Sequence, residues 1–200
     1  VDVRDPKSEE STRLANLCLW AKQHNVKLAP GLIGSESGQP LPKDYATKAS
    51  SFVRSLLSLL KRNKGKDLDA YGQIAFYQLE QPLNHPAVHG QMEAAAAADL
   101  LKKTANNIRK AEESALKGTQ LQPTQLMVSA SFDYELLKGG AIAGTEMSED
   151  AYQQAYENLK GFLAALADAP EIGMFAVEWF PGSVSAEAVD RLPDAHSAPR

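Results

Sequence analysis

The chain has 200 residues, long enough for one domain with a real hydrophobic core. Apolar residues make up 44% of it and charged residues 23%, a balance that excludes an intrinsically disordered chain. With a net charge of −4 and its Lys and Arg scattered among Asp and Glu, it lacks the clustered basic face of a nucleic-acid binder, and no apolar run approaches the roughly 20 residues of a membrane span.

The first helix is expected from about Ser8, a good N-cap, with Glu9 and Glu10 favourable in its first turn. Leu14, Leu17, Cys18 and Ala21 fall at i, i+3, i+4 and i+7 and form an apolar stripe, which makes Cys18 a core residue. As the only cysteine, it excludes an intrachain disulfide and leaves the compartment open. Asn25 reads as a left-handed stop, Val26–Ile33 as the first strand, and Gly34 to Pro42 as a loop. The second helix is expected over Asp44–Asn63, with Phe52, Val53, Leu56, Leu57 and Leu60 on its core face and Gly65 closing it. An aromatic-rich strand, Ala70–Leu79, leads into a loop from Gln81 to Gly90. A long helix then runs over Gln91–Lys117 and ends at Gly118.

The third strand, Gln125–Phe132, is followed by a Gly-rich loop ending at Ser148, a second strong N-cap. The helix Glu149–Asp168 places Tyr152, Ala155, Tyr156, Leu159, Phe162 and Leu163 on one side, and Pro170 breaks it. The last strand is Ile172–Phe180, and the tail over 193–200 frays. The first residue is Val1 rather than Met, the mark of a processed, trimmed or excised chain.

Strands alternating with long helices imply right-handed crossovers and a parallel sheet, an α/β fold. The strands recur about every 50 residues, against about 31 per unit in a minimal eight-unit barrel. Alternation separates Phe175, Val177 and Trp179 from Met174, Ala176 and Glu178, and Val128, Ala130 and Phe132 from Ser129, Ser131 and Asp133. One bulky face and one smaller, more polar face favour a barrel wall packed against helices over an open doubly wound sheet, whose strands are apolar on both faces. The expected fold is therefore a partial (β/α) barrel in a single domain, with parallel strands and long crossover helices.

Carboxylates gather where strands end: Glu36 after the first, Glu80 closing the second, Asp133 and Glu135 after the third, Glu178 near the end of the fourth. In parallel α/β folds this edge builds the site. Glu80 and Glu178 stand out as charges within otherwise apolar strands. A pair of carboxylates there can act as acid and as nucleophile or base in glycoside hydrolysis, their carboxyl groups lying about 5–9 Å apart. Tyr77, Trp179 and Phe180 would supply stacking faces for sugar rings. His85 and His89 with Glu93 have helical metal-ligand spacing, but Pro86 interrupts it and no further histidine is near, so no metal is expected. Gly139-Gly140 with Gly144 lacks the Lys-Ser/Thr of a phosphate loop, and Ser129 and Ser131 lack the nucleophile elbow of serine hydrolases.

Three stretches, Phe52 to Leu57, Tyr71 to Gln78, and Glu80-Gln81-Pro82-Leu83-Asn84-His85-Pro86, together resemble the fourth-strand region of retaining glycoside hydrolases with (β/α)8 barrels. Ile172 to Gly182, with Glu178-Trp179-Phe180-Pro181-Gly182, is similar to their sixth strand. The resemblance implies a barrel acting on polysaccharide without a cofactor, in an extracellular or periplasmic setting. From their places at the strand ends, Glu80 and Glu178 are the expected catalytic residues, with Glu36, Tyr77, Gln81, Asn84, Asp133, Trp179 and Phe180 expected to bind the substrate. Aligning Pro82 with the family proline sets Gln81 where the acid/base carboxyl belongs, and a glutamine cannot transfer that proton. First, seventh and eighth strands are not readable, so the expectation is that the chain is a piece of a larger barrel, that a partner chain completes it, or that the fold is not a closed barrel. Two classes therefore stand: a polysaccharide hydrolase, and a catalytically silent carbohydrate-binding or assembly subunit.

Overall fold

The computed structural model describes residues 1–5, 9–35, 39–62, 65–80, 94–133 and 149–180. In chain order they form α1 (Glu10–His24), β1 (Gly31–Leu32), α2 (Tyr45–Lys61), a 3-10 turn (Leu68–Gln73), β2 (Phe76–Leu79), α3 (Ala94–Leu116), β3 (Gln125–Asp133), α4 (Glu149–Leu166) and β4 (Ile172–Phe180). The strands lie in the order β1-β2-β3-β4, every neighbouring pair is parallel, and the sheet is open. The α/β class and the parallel sheet are as the sequence implies.

Each crossover helix lands beside the one before it, α1 on α2, α2 on α3 and α3 on α4. This is what consecutive strands in consecutive positions require when all crossovers have the same hand. The helical layer and one face of the sheet share a single core. Tyr77, Leu79, Leu126, Val128 and Ala130 of the strands meet Phe52, Leu56, Leu101, Ile108 and Phe162 of the helices. Cys18 is buried in the same core, and burial pushes its thiol up to about 12.

Helix ends follow local chemistry. Asn25 adopts the left-handed conformation that stops α1, and Val26 N–H donates back to Ala21 O at 2.9 Å. Gly65 and Gly118 take positive φ just beyond α2 and α3. The start of α1 differs from expectation: it begins at Glu10 with Glu9 as N-cap and no side-chain cap, while Ser8 lies outside the described residues. On the expected apolar stripes, Leu17 and Tyr156 sit at the rims and are exposed. Gly161 is exposed in the middle of α4, and a Cβ there would meet nothing within 4 Å. Gly161→Ala is therefore expected to stabilise the fold by roughly 0.5–1 kcal/mol, read from chemical denaturation, because it removes backbone freedom from the unfolded chain.

Two strands are shorter than expected. Residues 68–73 form a 3-10 turn, with Ala70 N–H donating to Asp67 O and Ile74 N–H to Tyr71 O. The turn drives Tyr71 into the core, leaving Phe76–Leu79 as β2. Along the first strand the pairing with β2 is broken into the Leu28–Ile74 bridge and the Gly31–Leu32 ladder, with Pro30, which has no N–H, between them. A pairing not anticipated lies on the outer edge of β1. Val3 N–H donates to Ile33 O, and Ile33 N–H donates to Val1 O, at 2.9 and 2.8 Å.

Beneath the sheet is a buried polar cluster. Glu112, on the core-facing side of α3, accepts hydrogen bonds at Oε1 from the Tyr71 hydroxyl (2.8 Å) and Thr124 N–H (2.9 Å). Its Oε2 faces the Arg109 guanidinium at 3.5 Å, and Arg109 also donates to Glu171 O. The cluster thereby ties α3 to the segments that enter β3 and β4. Burial pushes the Glu112 carboxyl above its ordinary range, against the lowering effect of Thr124, Tyr71 and Arg109.

Candidate functional site

Parallel strands deliver all their C-terminal ends to one edge of the sheet. Gly34 and Ser35 follow β1 there, Glu80 follows β2, Asp133 ends β3, and Glu178, Trp179 and Phe180 end β4. Of the strand-end carboxylates that sequence reasoning singled out, Glu80, Asp133 and Glu178 fall along this edge.

Glu80 has the most defined geometry. Its N–H continues the ladder to Leu32 O at 3.2 Å, and its backbone then turns left-handed, with φ +62°. For a residue with a Cβ this conformation costs about 1 kcal/mol or more, so the surroundings must enforce it. The side chain is fully buried. Its carboxylate accepts the Gly34 N–H at 2.5 Å and faces the Ser35 hydroxyl at 3.5 Å. A charge-assisted bond to a backbone N–H is among the stronger ways to hold a buried carboxylate.

Gly34 makes this approach sterically feasible. A Cβ on it would fall 2.2 Å from Cδ2 and 2.7 Å from Cε2 of Tyr45. The Tyr45 ring cannot move aside freely, since it is fully buried and its hydroxyl donates to Leu32 O at 2.7 Å. Burial first, and the negative charge of Glu80 second, push the Tyr45 hydroxyl well above its usual range, so it stays protonated. Gly34, Tyr45 and Glu80 therefore lock the exit of β1 to the exit of β2.

The sheet face opposite the helices carries the polar series. Gln78 Nε2 donates to Ser129 Oγ at 3.0 Å between β2 and β3. In register, Ser129 pairs with Ala176, Ser131 with Glu178, Phe132 with Trp179, and Asp133 with Phe180. Glu80 and Glu178 lie at the same edge but with β3 between them. At about 4.8 Å per strand and a two-residue stagger, their Cα atoms are roughly 12 Å apart. The Glu80 carboxylate turns toward the β1 exit, on the flank away from β4.

Tyr77 requires a correction. It was expected as a stacking face for sugar, yet it is fully buried on the helix side of β2, its hydroxyl donating to Tyr71 at 3.2 Å. Strand alternation accounts for this: Tyr77 shares a face with Leu79, and Gln78 takes the opposite one. Glu36, Gln81, Asn84, Glu135, His85, His89 and Glu93 lie outside the described residues. Among the described residues no helix is long and apolar enough to cross a membrane. Nor, within that set, do three or more His, Cys, Asp or Glu side chains converge as metal ligands would. Sequence reasoning passed over Gly34, Ser35 and Tyr45. The available signal was a glycine directly after an apolar strand, facing a charge at the end of the next one. No known family, curated protein or solved structure matches the chain.

Proposed function

We propose that the chain is a glycoside-hydrolase-like, partial (β/α)-barrel domain that engages polysaccharide at the C-terminal ends of its strands. In this reading Glu178 carries the chemistry, and Glu80 is a positioning residue that fixes the β1 exit. The observation that carries the reading is the strained, fully buried Glu80 at the end of β2. Left-handed non-glycine residues persist where the surroundings over-determine them, and such residues cluster at functional sites. This one sits at the sheet edge where parallel α/β folds build theirs. On the face opposite the helices, Gln78 Nε2 donates to Ser129 Oγ, a polar pair lying between β2 and β3 on the way to that edge.

A second reading, a catalytically silent carbohydrate-binding or assembly subunit, is favoured by one specific fact. The Glu80 carboxylate is buried and already holds Gly34 N–H, which removes it from a carboxylate pair. A panel of polysaccharides, scored for reducing-end release and for binding side by side, separates the two. Cleavage of at least one polymer is expected. Binding without cleavage selects the silent domain, and neither binding nor cleavage overturns both readings.

A further inference from the structure

The helical layer carries a concavity at the end of the fold remote from the strand exits. It is a groove of about 330 Å³ between α2 and α3, floored by Leu57 and Ala111. Arg54, Ser58 and Lys61 line it from α2, and Lys110 and Ser114 line it from α3. Arg54, Ser58 and Lys61 stand at i, i+4 and i+7, and Lys110 and Ser114 at i and i+4, so each set forms one continuous helical rim. Packed helices run with their axes about 8–10 Å apart, a gap that Arg and Lys side chains from both rims can bridge to reach one small ligand.

The charge in this groove is of one sign. Arg54, Lys61 and Lys110 make no ion pair or hydrogen bond among the described residues, and no acidic side chain lines the groove. The 17 residues of α2 include no Asp or Glu at all. This is unusual on a chain whose overall charge is −4 and whose other surface cations are often paired, as Lys22 is with Asp69 and Lys48 with Asp44. The helix dipole accounts for Lys61, in the last turn of α2, but Arg54 and Lys110 lie short of the last turns of their helices. Three uncompensated cations sharing one concavity repel one another, and an anion placed among them relieves that repulsion. The two hydroxyls beside them add donors without adding charge.

We propose that this groove binds a tetrahedral oxyanion, phosphate or sulfate, with Arg54, Lys61 and Lys110 supplying the charge and Ser58 and Ser114 the neutral donors. The same chemistry could arrive free in solution or carried on a sugar. The test is calorimetric titration of the full chain with inorganic phosphate, inorganic sulfate, and glucose 6-sulfate beside unmodified glucose, with chloride holding ionic strength constant. Saturable binding of phosphate or sulfate is expected, weakened at least tenfold in both Arg54→Gln and Lys110→Gln and unchanged in Lys160→Gln on α4. Circular dichroism verifies that each variant is folded. Tighter binding of glucose 6-sulfate than of inorganic sulfate marks a sugar-borne ligand, and equal binding marks the free ion. The proposal is overturned if no oxyanion binds saturably, or if binding survives intact in both groove variants.

Discussion

Gly34→Ala is expected to lower stability by roughly 3 kcal/mol, the upper part of the range for overpacking a buried site. The added methyl would stand 2.2 Å from a ring carbon of Tyr45, well inside van der Waals contact. Tyr45 is pinned by full burial and by its hydrogen bond to Leu32 O, so relief has to come from the backbone of the β1 exit. Moving that backbone also withdraws Gly34 N–H from the Glu80 carboxylate and leaves a buried charge short of a donor. Gly31 is the natural control. Its added Cβ meets only Ile33 Cδ1, at an ordinary 3.6 Å, so Gly31→Ala is expected to change stability by less than about 1 kcal/mol. Urea denaturation of the two variants measures both values. Equal midpoints would mean that the β1 exit is not packed on Tyr45 as described.

Glu112 is expected to behave very differently when truncated and when merely neutralised. Glu112→Ala leaves the Tyr71 hydroxyl and Thr124 N–H without their buried acceptor and takes from Arg109 its carboxylate partner, at a cost of roughly 3–5 kcal/mol. Glu112→Gln keeps an oxygen for both donors and is expected to stay within about 1 kcal/mol of the parent near neutral pH. The pH dependence follows from the direction of the shift. The folded carboxyl is raised above its ordinary value of 4.5, so the folded protein takes up this proton at a higher pH than the unfolded chain does. The stabilisation from this group is complete below the ordinary value and is lost as pH rises through the folded one. Melting temperatures from pH 4 to pH 8 should therefore show the parent gaining on Glu112→Gln as pH falls. A constant difference between the two across that range would argue that the carboxyl is not raised.

Much of the fold was legible because it rests on local rules. The apolar stripes of α1 and α2, the left-handed stop at Asn25, and the glycines after α2 and α3 are each decided within a few residues. The alternation of β3 and β4 separated Val128 and Ala130 from Ser129, and the register confirms the two faces by pairing Val128 with Phe175 and Ser129 with Ala176. What stayed hidden depends on contacts distant in sequence. The segment 70–75 reads as strand by composition, but burial of Tyr71 against Glu112, 41 residues away, accompanies a turn there instead. Tyr77 is a different case, decided by a local rule. Its aromatic ring suggested a binding platform, whereas alternation along β2 sends it into the core. At the site, the position of Glu80 was readable, but its role was not. The left-handed turn and the bond to Gly34 exist only once β1 and β2 lie side by side, with Tyr45 behind them. Glu112 left a trace that could have been followed, a charge in step with the buried Ala105, Ile108 and Leu116 of α3.

The division of labour proposed for the two strand-end glutamates is tested most directly by turnover. Under the proposed hydrolase reading, Glu178→Gln is expected to slow reducing-end release by roughly 100-fold or more with the melting temperature unchanged, because only proton transfer or nucleophilic attack is lost. Glu80→Gln is expected to lower the melting temperature, since it replaces a charged acceptor of Gly34 N–H by a neutral one. Parent-like turnover in Glu178→Gln would contradict the account.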